Sequence, residues 1–391
     1  MKRFRWLSLL GVWVILSGCA TTGHEPARHL TGDPLIDGPN AIEHGPAKDK
    51  VLWQYRTATA AMWRGQYGEA KRLLDDALAR IRGVIGADKS AKKSRGYFSA
   101  EAKKTFIGEP YERVMAYYFR GILYWMDGEP DNARACFRSA QLEDSDTVDK
   151  TYSGDYVLLD YLDGLATAKQ GGDGSDALKR AQAEAKLTAP TAYHPKANVL
   201  FFVDFGLGPT KFASGQYAEQ LMFRVTPSPA FSARIKIDRQ TVTAPAYDDL
   251  YFQATTRGGR VMDHILANKA GLKRAADVTG NAALMSSAVL ATQRETETAA
   301  LGALAFGLLS KLTAAAIVPQ ADVRSWDNLP LFISFAAVEL PAGPHTAIVE
   351  FLDPSNRVVP NLTKSINLNV PAGAGDKVVY VSDKSTTPQN L

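Results

Sequence analysis

The residues with the greatest chemical potential lie in one polar stretch, 247-YDDLYFQATTRGGR-260. Asp248 and Asp249 supply adjacent carboxylates, and Arg257 follows shortly after them with a guanidinium group. Such a cluster could form a ligand surface for a glycan or a peptide, or it could be the start of a helix with a charged rim. Both interpretations stay open at the level of sequence.

Asp263 and His264 extend this stretch, within 259-GRVMDHILANKAG-271. No Glu or second His stands at HExxH spacing, so a zinc protease is not supported. The chain contains no GxSxG and no CxxC, and 205-FGLGPTK-211 lacks the spacing of a phosphate loop. We therefore expect no enzyme activity, no catalytic residue, no metal and no cofactor.

The N-terminus carries the most specific signal in the chain. A basic start and the apolar run 6-WLSLLGVWVIL-16 are typical of a signal peptide. The run ends in 16-LSGC-19, which resembles the lipobox of bacterial lipoproteins. The resemblance implies cleavage after residue 18, lipidation of the Cys19 thiol and acylation of the new N-terminus. Ala20 stands where an inner-membrane protein usually has Asp, which favours lipid anchoring in the outer membrane, facing the periplasm.

Charge and cysteine content narrow the function classes further. Cleavage before Cys19 removes three basic residues and no acidic one, so the net charge of +4 falls to +1. That balance does not predict nucleic-acid binding. Cys136 is the other cysteine, and a lipidated Cys19 cannot pair with it, so we expect no disulfide. The length predicts two domains after the signal peptide.

Composition divides the mature chain into three parts. Residues 19–48 are rich in Gly, Pro, His and Thr and predict a tether between the membrane and the first domain. Residues 49–190 show helical periodicity. Residues 191–385 show short alternating runs that predict strands.

One part of the helical region, 111–144, resembles a tetratricopeptide repeat. Tyr117, Gly121 and Tyr124 occupy the large–small–large positions of its first helix, and Gly128 lies in the turn. Small residues let two helices approach, and aromatic ones fill the groove between repeats, so Tyr117 and Tyr124 are candidate partner-binding residues. The second helix carries the matching small and aromatic positions Ala133, Phe137 and Ala140.

Two further copies flank this repeat. An earlier one spans 58–78, and a degenerate third spans 156–187. The first two copies are farther apart than one repeat length, which predicts an insertion at 86–110. Three helix pairs are about the minimum for a stable stack.

The strand region predicts a β-sandwich-like domain with a helical insertion at about 257–317. In 341-PAGPH-345, Pro and Gly indicate a tight hairpin. The fold class is therefore α + β, with a tetratricopeptide-like α-solenoid followed by the sandwich-like domain. The predicted strands are 198–205, 217–225, 233–238, 331–340, 345–352, 364–370 and 377–382.

The stretch 299-AALGALAFGLLSKLTAAAIV-318 contains one charge in twenty residues. It could be a helix buried in a hairpin, an exposed assembly or partner surface, or a membrane insertion. Large apolar residues on one face and small ones opposite favour packing on both sides, and 281–318 could join copies of the chain. The large face comprises Leu301, Leu304, Leu308 and Leu312.

Another landmark is 322-DVRSWDNLP-330, where an Arg–Asp pair beside Trp326 indicates an ordered structural loop. The chain as a whole resembles a family of bacterial outer-membrane lipoproteins with tetratricopeptide-like repeats. That resemblance implies no catalytic residues and a place near lipoproteins of cell-envelope assembly. It is carried by the lipobox and by residues 121–141, 199–211, 258–270, 322–330 and 339–353.

These features lead to one function hypothesis with two alternatives. A lipid-anchored periplasmic scaffold would bind a protein or peptide partner through its tetratricopeptide-like surface. The first alternative binds or processes a glycan or peptide at 247–264. The second is a subunit of an envelope secretion complex.

Overall fold

Helices fill the first half of the chain and strands the second, which confirms the expected combination of α and β structure. The computed structural model describes residues 30–95, 104–146, 150–255, 320–373 and 375–391. Residues 34–391 form one compact unit, and in the separate N-terminal unit Thr31 Oγ1 accepts the Asp33 N–H at 3.2 Å. The signal peptide, Cys19, Arg257, Asp263, His264 and the segments 257–317, 281–318 and 299–318 lie outside the described residues.

Proline and glycine mark where the helices begin and turn. Pro110 and Pro130 each open a helix, where the missing N–H costs no hydrogen bond. Gly65 and Gly128 have φ of +69° and +77°, which lets the chain reverse after a helix. The helices are α1 (Pro34–His44), α2 (Lys50–Trp63), α3 (Tyr67–Arg95), α4 (Pro110–Met126), α5 (Pro130–Asp144), α6 (Val157–Lys169), α7 (Ser175–Glu184) and α8 (Leu250–Thr255).

Three consecutive helical hairpins, α2–α3, α4–α5 and α6–α7, lie side by side in chain order. In the second hairpin, a Cβ on Gly121 would lie 2.5 Å from Cε1 of Phe137, so the close approach of α4 and α5 requires glycine. Cys136 is buried beside this contact, and burial raises the pKa of its thiol to about 11. A buried thiol with a raised pKa behaves as a small hydrophobic side chain.

Two helical segments differ from the expected organisation. Pro34–His44 is helical although it lies within the range expected to be a tether, because the small buried residues Gly38 and Ala41 let α1 pack against α2. Helix α3 continues to Arg95, so the first part of the expected insertion at 86–110 extends this helix.

Eight strands form one mixed sheet in the order β10-β8-β7-β4-β5-β6-β1-β9. The pairs β1–β9 and β8–β10 are parallel, and the other neighbouring pairs are antiparallel. Strands β2 and β3 form a separate hairpin. The strands are β1 (Val199–Phe205), β2 (Thr210–Ser214), β3 (Gln220–Arg224), β4 (Ser232–Ile237), β5 (Gln240–Asp249), β6 (Phe332–Val338), β7 (Gly343–Leu352), β8 (Lys364–Val370), β9 (Lys377–Ser382) and β10 (Gln389–Asn390).

The sheet curls around one apolar core and packs a second against the helices. Phe201 on β1, Ile235 on β4 and Val349 on β7 lie in the core inside the curl. Phe202 and Tyr380, on β1 and β9, point to the opposite face and share a core with the helices. The first half of the chain therefore cannot bury its apolar surface without the second.

The turn 341–345 does not form the expected hairpin. It connects β6, which pairs with β5 and β1, to β7, which pairs with β4 and β8. His345 fixes the turn, with Nδ1 2.8 Å from Asp238 Oδ2 and Nε2 2.9 Å from Pro341 O. Pro and Gly correctly indicated a change of direction, whereas the partners of each strand depend on the shared core.

No helix within the described ranges has both the length and the apolar character needed to span a membrane.

Candidate functional site

The two tyrosines predicted to bind a partner contact other side chains within the helical layer. Tyr117 is buried on α4, where Arg82 Nε donates to its hydroxyl at 3.1 Å. Tyr124 lies under the Arg120 guanidinium, 3.4 Å from the ring centre, in a cation–π contact. Both rings thus join neighbouring side chains of the same layer.

The face of the hairpins formed by α2, α4 and α6 is covered by the chain's own sheet. Tyr118 on α4 meets Phe202 with ring centres 6.3 Å apart, and Tyr161 on α6 meets Phe335 at 5.9 Å. Trp125 Nε1 donates to Asp376 Oδ2 at 2.8 Å, near the start of β9. A partner would have to displace the sheet to reach this face.

Asp248 reaches the helices through a β-bulge. The pairing of β5 with β6 shifts between Ala246 and Asp248, which moves Asp248 to the helix-facing side of the sheet. There its two carboxylate oxygens accept the N–H groups of Val157 and Leu158, at 2.8 and 2.9 Å. Asp248 therefore caps the N-terminus of α6 from a distant strand.

Asp249 has a similar local role at the next helix. Its Oδ1 accepts the N–H groups of Tyr251 and Phe252, at 2.8 and 3.4 Å. This arrangement begins α8, so the sequence interpretation of a helix start holds for this residue. Arg257, the third candidate of the stretch, lies outside the described residues.

A small cleft of about 90 Å³ nevertheless gathers Asp248 and Asp249 with Asp155, which sequence reasoning missed. Asp155 precedes α6, and Gln253 Nε2 donates to its Oδ1 at 3.0 Å. Its Oδ2 is buried and has no hydrogen-bond partner in the described part of the chain. The cleft is lined by these three carboxylates and by Val157, Glu184, Lys186, Leu187, Tyr247, Phe252 and Gln253.

Burial dominates the electrostatics of this cleft. It raises the pKa of Asp248 to about 7, even though two backbone N–H groups favour the ionised form. Burial also raises the pKa values of Asp155 and Asp249. Burial therefore favours the protonated form of each aspartate, and a cation beside them would favour the ionised form.

The β2–β3 hairpin presents a second surface, and a buried ion pair anchors it from beneath. Lys211 Nζ lies 2.5 Å from Glu112 Oε2 on α4, and both side chains are fully buried. Glu112 Oε1 also accepts the Trp326 N–H at 2.7 Å. The hairpin is thereby tied to α4 and to the loop before β6.

The opposite side of this hairpin, here the outer hairpin face, points to solvent. Phe212 and Met222 are directly paired across the two strands and are 37% and 44% exposed. The Arg224 guanidinium lies 5.2 Å from the Phe212 ring centre. Strand alternation explains the division, because Lys211 and Phe223 point inward from the same strands. The outer hairpin face comprises Thr210, Phe212, Gln220, Met222 and Arg224.

The landmark loop has the structural role expected of it. Trp326 is fully buried, stacks on Tyr55 with ring centres 4.1 Å apart, and donates from Nε1 to Thr59 Oγ1 at 3.0 Å. Arg324 pairs with Asp322 and Asp49, both at 2.6 Å. The loop therefore joins the helices to the sheet.

Among the described residues, no group of three or more His, Cys, Asp or Glu side chains is arranged to hold a metal ion. No protein-family model, curated protein or solved structure matches the chain.

Proposed function

We propose that the chain is a lipid-anchored scaffold of the outer membrane, facing the periplasm, which binds a protein or peptide partner of the cell envelope. In this proposal the α-helical hairpins form a tetratricopeptide-like stack and the curled sheet a sandwich-like companion. Gly121 against Phe137 supports the repeat assignment, because a small residue opposite an aromatic one is what that motif requires.

We propose that the partner binds to the outer hairpin face. Phe212 and Met222 are large apolar side chains, exposed side by side on a hairpin that Lys211 and Glu112 anchor from below. An apolar pair on a rigid support loses little conformational entropy on binding, and aromatic and Met side chains are enriched at interfaces. This surface is a better candidate than Tyr117 and Tyr124, because Tyr117 is buried and the half-buried Tyr124 ring lies under the Arg120 guanidinium.

Crosslinking in cells tests this partner surface. We expect a photo-crosslinking residue at Phe212 or Met222 to capture a discrete envelope protein. Leu142 on α5 is the control, because it is 72% exposed and apolar but remote in sequence from the hairpin. With the crosslinker at Phe212, the substitution Met222→Asp should abolish the product. The same products from Leu142 as from Phe212 would refute the proposal.

The two cysteines provide a matched test of the anchor. Cys19→Ser should release the protein from the membrane fraction and stop the incorporation of labelled palmitate. Cys136→Ala should change neither, because Cys136 is buried in the helical layer. Palmitate labelling that persists in Cys19→Ser would rule out this site of lipidation.

For the alternative, a site at 247–264 that binds or processes a glycan or peptide, the structure leaves fewer available side chains than the sequence indicated. Asp248 and Asp249 each cap a helix, and catalysis would need further groups from residues outside the described ranges. A role in a secretion complex through 281–318 likewise concerns residues outside those ranges. The scaffold is the function that the described contacts support best.

A further inference from the structure

The cleft formed by Asp155, Asp248 and Asp249 is separate from the outer hairpin face and has a distinct chemistry. We infer that this cleft binds a primary alkylammonium group, such as the basic side chain or the free N-terminus of a peptide. The inference depends on the carboxylates of the cleft and not on the partner surface proposed for the hairpin.

The ion-pairing pattern of the protein is the first observation. Glu112, Asp322 and Glu143 are largely buried acids, and each pairs with a Lys or Arg at 2.5 or 2.6 Å. Asp204 is a buried acid without such a pair, and the Tyr118 hydroxyl donates to it instead. The three cleft aspartates also form no ion pair with a Lys or Arg among the described residues, and unlike Asp204 they lie together in one cleft. Lys186, which also lines the cleft, pairs with Glu184 at 3.4 Å, and its charge acts on Asp155 without an ion pair between them.

The second, independent observation concerns a single oxygen atom. Asp155 is 3% exposed and lines the cleft, yet its Oδ2 has no hydrogen-bond partner in the described part of the chain. A buried carboxylate oxygen without a donor is costly, and native structures rarely tolerate one without a reason. An ammonium group in the cleft would supply that donor.

The size and lining of the cleft select the kind of cation. A volume of about 90 Å³ suits a compact ammonium head with its neighbouring methylenes better than a planar guanidinium with five donors. Tyr247, Phe252 and Leu187 supply apolar surface for the methylenes, and the two aromatic rings can also attract the cation. The aspartates accept hydrogen bonds from the ammonium and offset its charge.

Calorimetric titration of the mature protein in detergent tests the inference with three probes. Nα-acetyl-lysine amide carries only the side-chain amine, norleucine amide only the α-amine, and Nα-acetylnorleucine amide neither. We expect saturable binding of one or both amines and none of the neutral probe. Binding of the lysine or the norleucine probe identifies the source of the ammonium group. Equal heats from all three probes would overturn the inference.

Two substitutions with opposite expected effects strengthen the test. Asp155→Asn keeps an acceptor for Gln253 but loses the charge, so it should weaken amine binding roughly ten- to hundredfold. Lys186→Gln removes a competing cation and should tighten binding. Asp176→Asn is the control, because this exposed carboxylate on α7 does not line the cleft. Unchanged affinity in both Asp155→Asn and Lys186→Gln would contradict the inference.

Discussion

Lys211 and Glu112 form an ion pair of 2.5 Å that is closed to solvent and joins the β2–β3 hairpin to α4. The same carboxylate accepts the Trp326 N–H at 2.7 Å and the Glu109 N–H at 2.6 Å. Lys211 Nζ also donates to the Arg324 carbonyl at 3.0 Å. Glu112 thus connects α4, the β2–β3 hairpin and the loop before β6. The donors around it would lose this acceptor if Glu112 were replaced.

The first prediction concerns the removal of the cation from this pair. Lys211→Met leaves the Glu112 carboxylate buried without its partner and should lower the free energy of unfolding by about 3–5 kcal/mol. Urea denaturation of the mature protein measures the loss. Lys71→Met is the control, because Lys71 pairs with Asp127 at the surface, where an ion pair contributes about 0–1 kcal/mol.

A second substitution distinguishes charge from packing in the same experiment. Glu112→Gln in the Lys211→Met background removes the uncompensated charge, so the double variant should be more stable than the sum of the two single losses implies. Additive losses would mean that the two side chains act independently.

The second prediction tests the close approach of α4 and α5. Gly121→Ala places a methyl group 2.5 Å from Phe137 Cε1 and should cost about 1–3 kcal/mol of unfolding free energy through overpacking. Gly68→Ala on α3 meets no atom within 4 Å and should leave stability unchanged or raise it by up to about 1 kcal/mol. Thermal unfolding of both variants provides the comparison. Equal losses would show that the steric contact is not the cause.

The role of Gly121 in the close approach of α4 and α5 could be predicted from the sequence, because it depends on residues that are near one another in the chain. A small residue between aromatic ones, at helical spacing, already specifies which face of α4 meets its neighbour. Strands β1 and β7 could be predicted for the same reason, since β1 is a continuous apolar run buried on both faces and β7 alternates between buried and more exposed residues.

Other features depend on distant parts of the chain and left no local signal. The bulge that turns Asp248 toward α6 exists because β5 pairs with β6, far along the sequence. Lys211 ends the segment 205–211, whose spacing does not fit a phosphate loop, and only the position of α4 shows that its partner is Glu112. The cleft required Asp155 and Asp248 to meet across a long sequence separation. Tertiary contacts of this kind are what sequence patterns omit.

The third prediction concerns pH. Asp204 on β1 is fully buried, the Tyr118 hydroxyl donates to its Oδ1 at 3.2 Å, and burial raises its pKa from 3.8 to about 8, with Asp383 as a further negative neighbour. The folded state therefore binds this proton more tightly than the unfolded state. The stability from this group is full below pH 3.8 and falls as pH rises toward about 8, by at most about 1.4 kcal/mol per pH unit.

Asp204→Asn removes that dependence, so the variant should gain stability relative to the parent between about pH 5 and about pH 8. Urea denaturation at several pH values measures the difference. Asp173→Asn is the control, since the pKa of this exposed group is lowered by the Ser175 N–H and its effect should be constant over the same range. Asp248, with a pKa of about 7, still makes the unfolding free energy fall with rising pH in every variant, but less steeply. If the difference in unfolding free energy between Asp204→Asn and the parent did not change with pH, Asp204 would not be the source of the pH dependence.

The fourth prediction separates the two neighbouring aspartates by the helices that they cap. Asp248→Ala leaves the N–H groups of Val157 and Leu158 without an acceptor at a buried site and should cost about 2–4 kcal/mol. Asp249→Ala affects the partly exposed start of α8 and should cost about 0.5–2 kcal/mol. Hydrogen exchange locates each effect: the Val157 and Leu158 amides should exchange faster in Asp248→Ala than in Asp249→Ala. If Asp249→Ala accelerates them equally, the two caps form one cooperative unit, and Asp248 does not hold α6 to the sheet by itself.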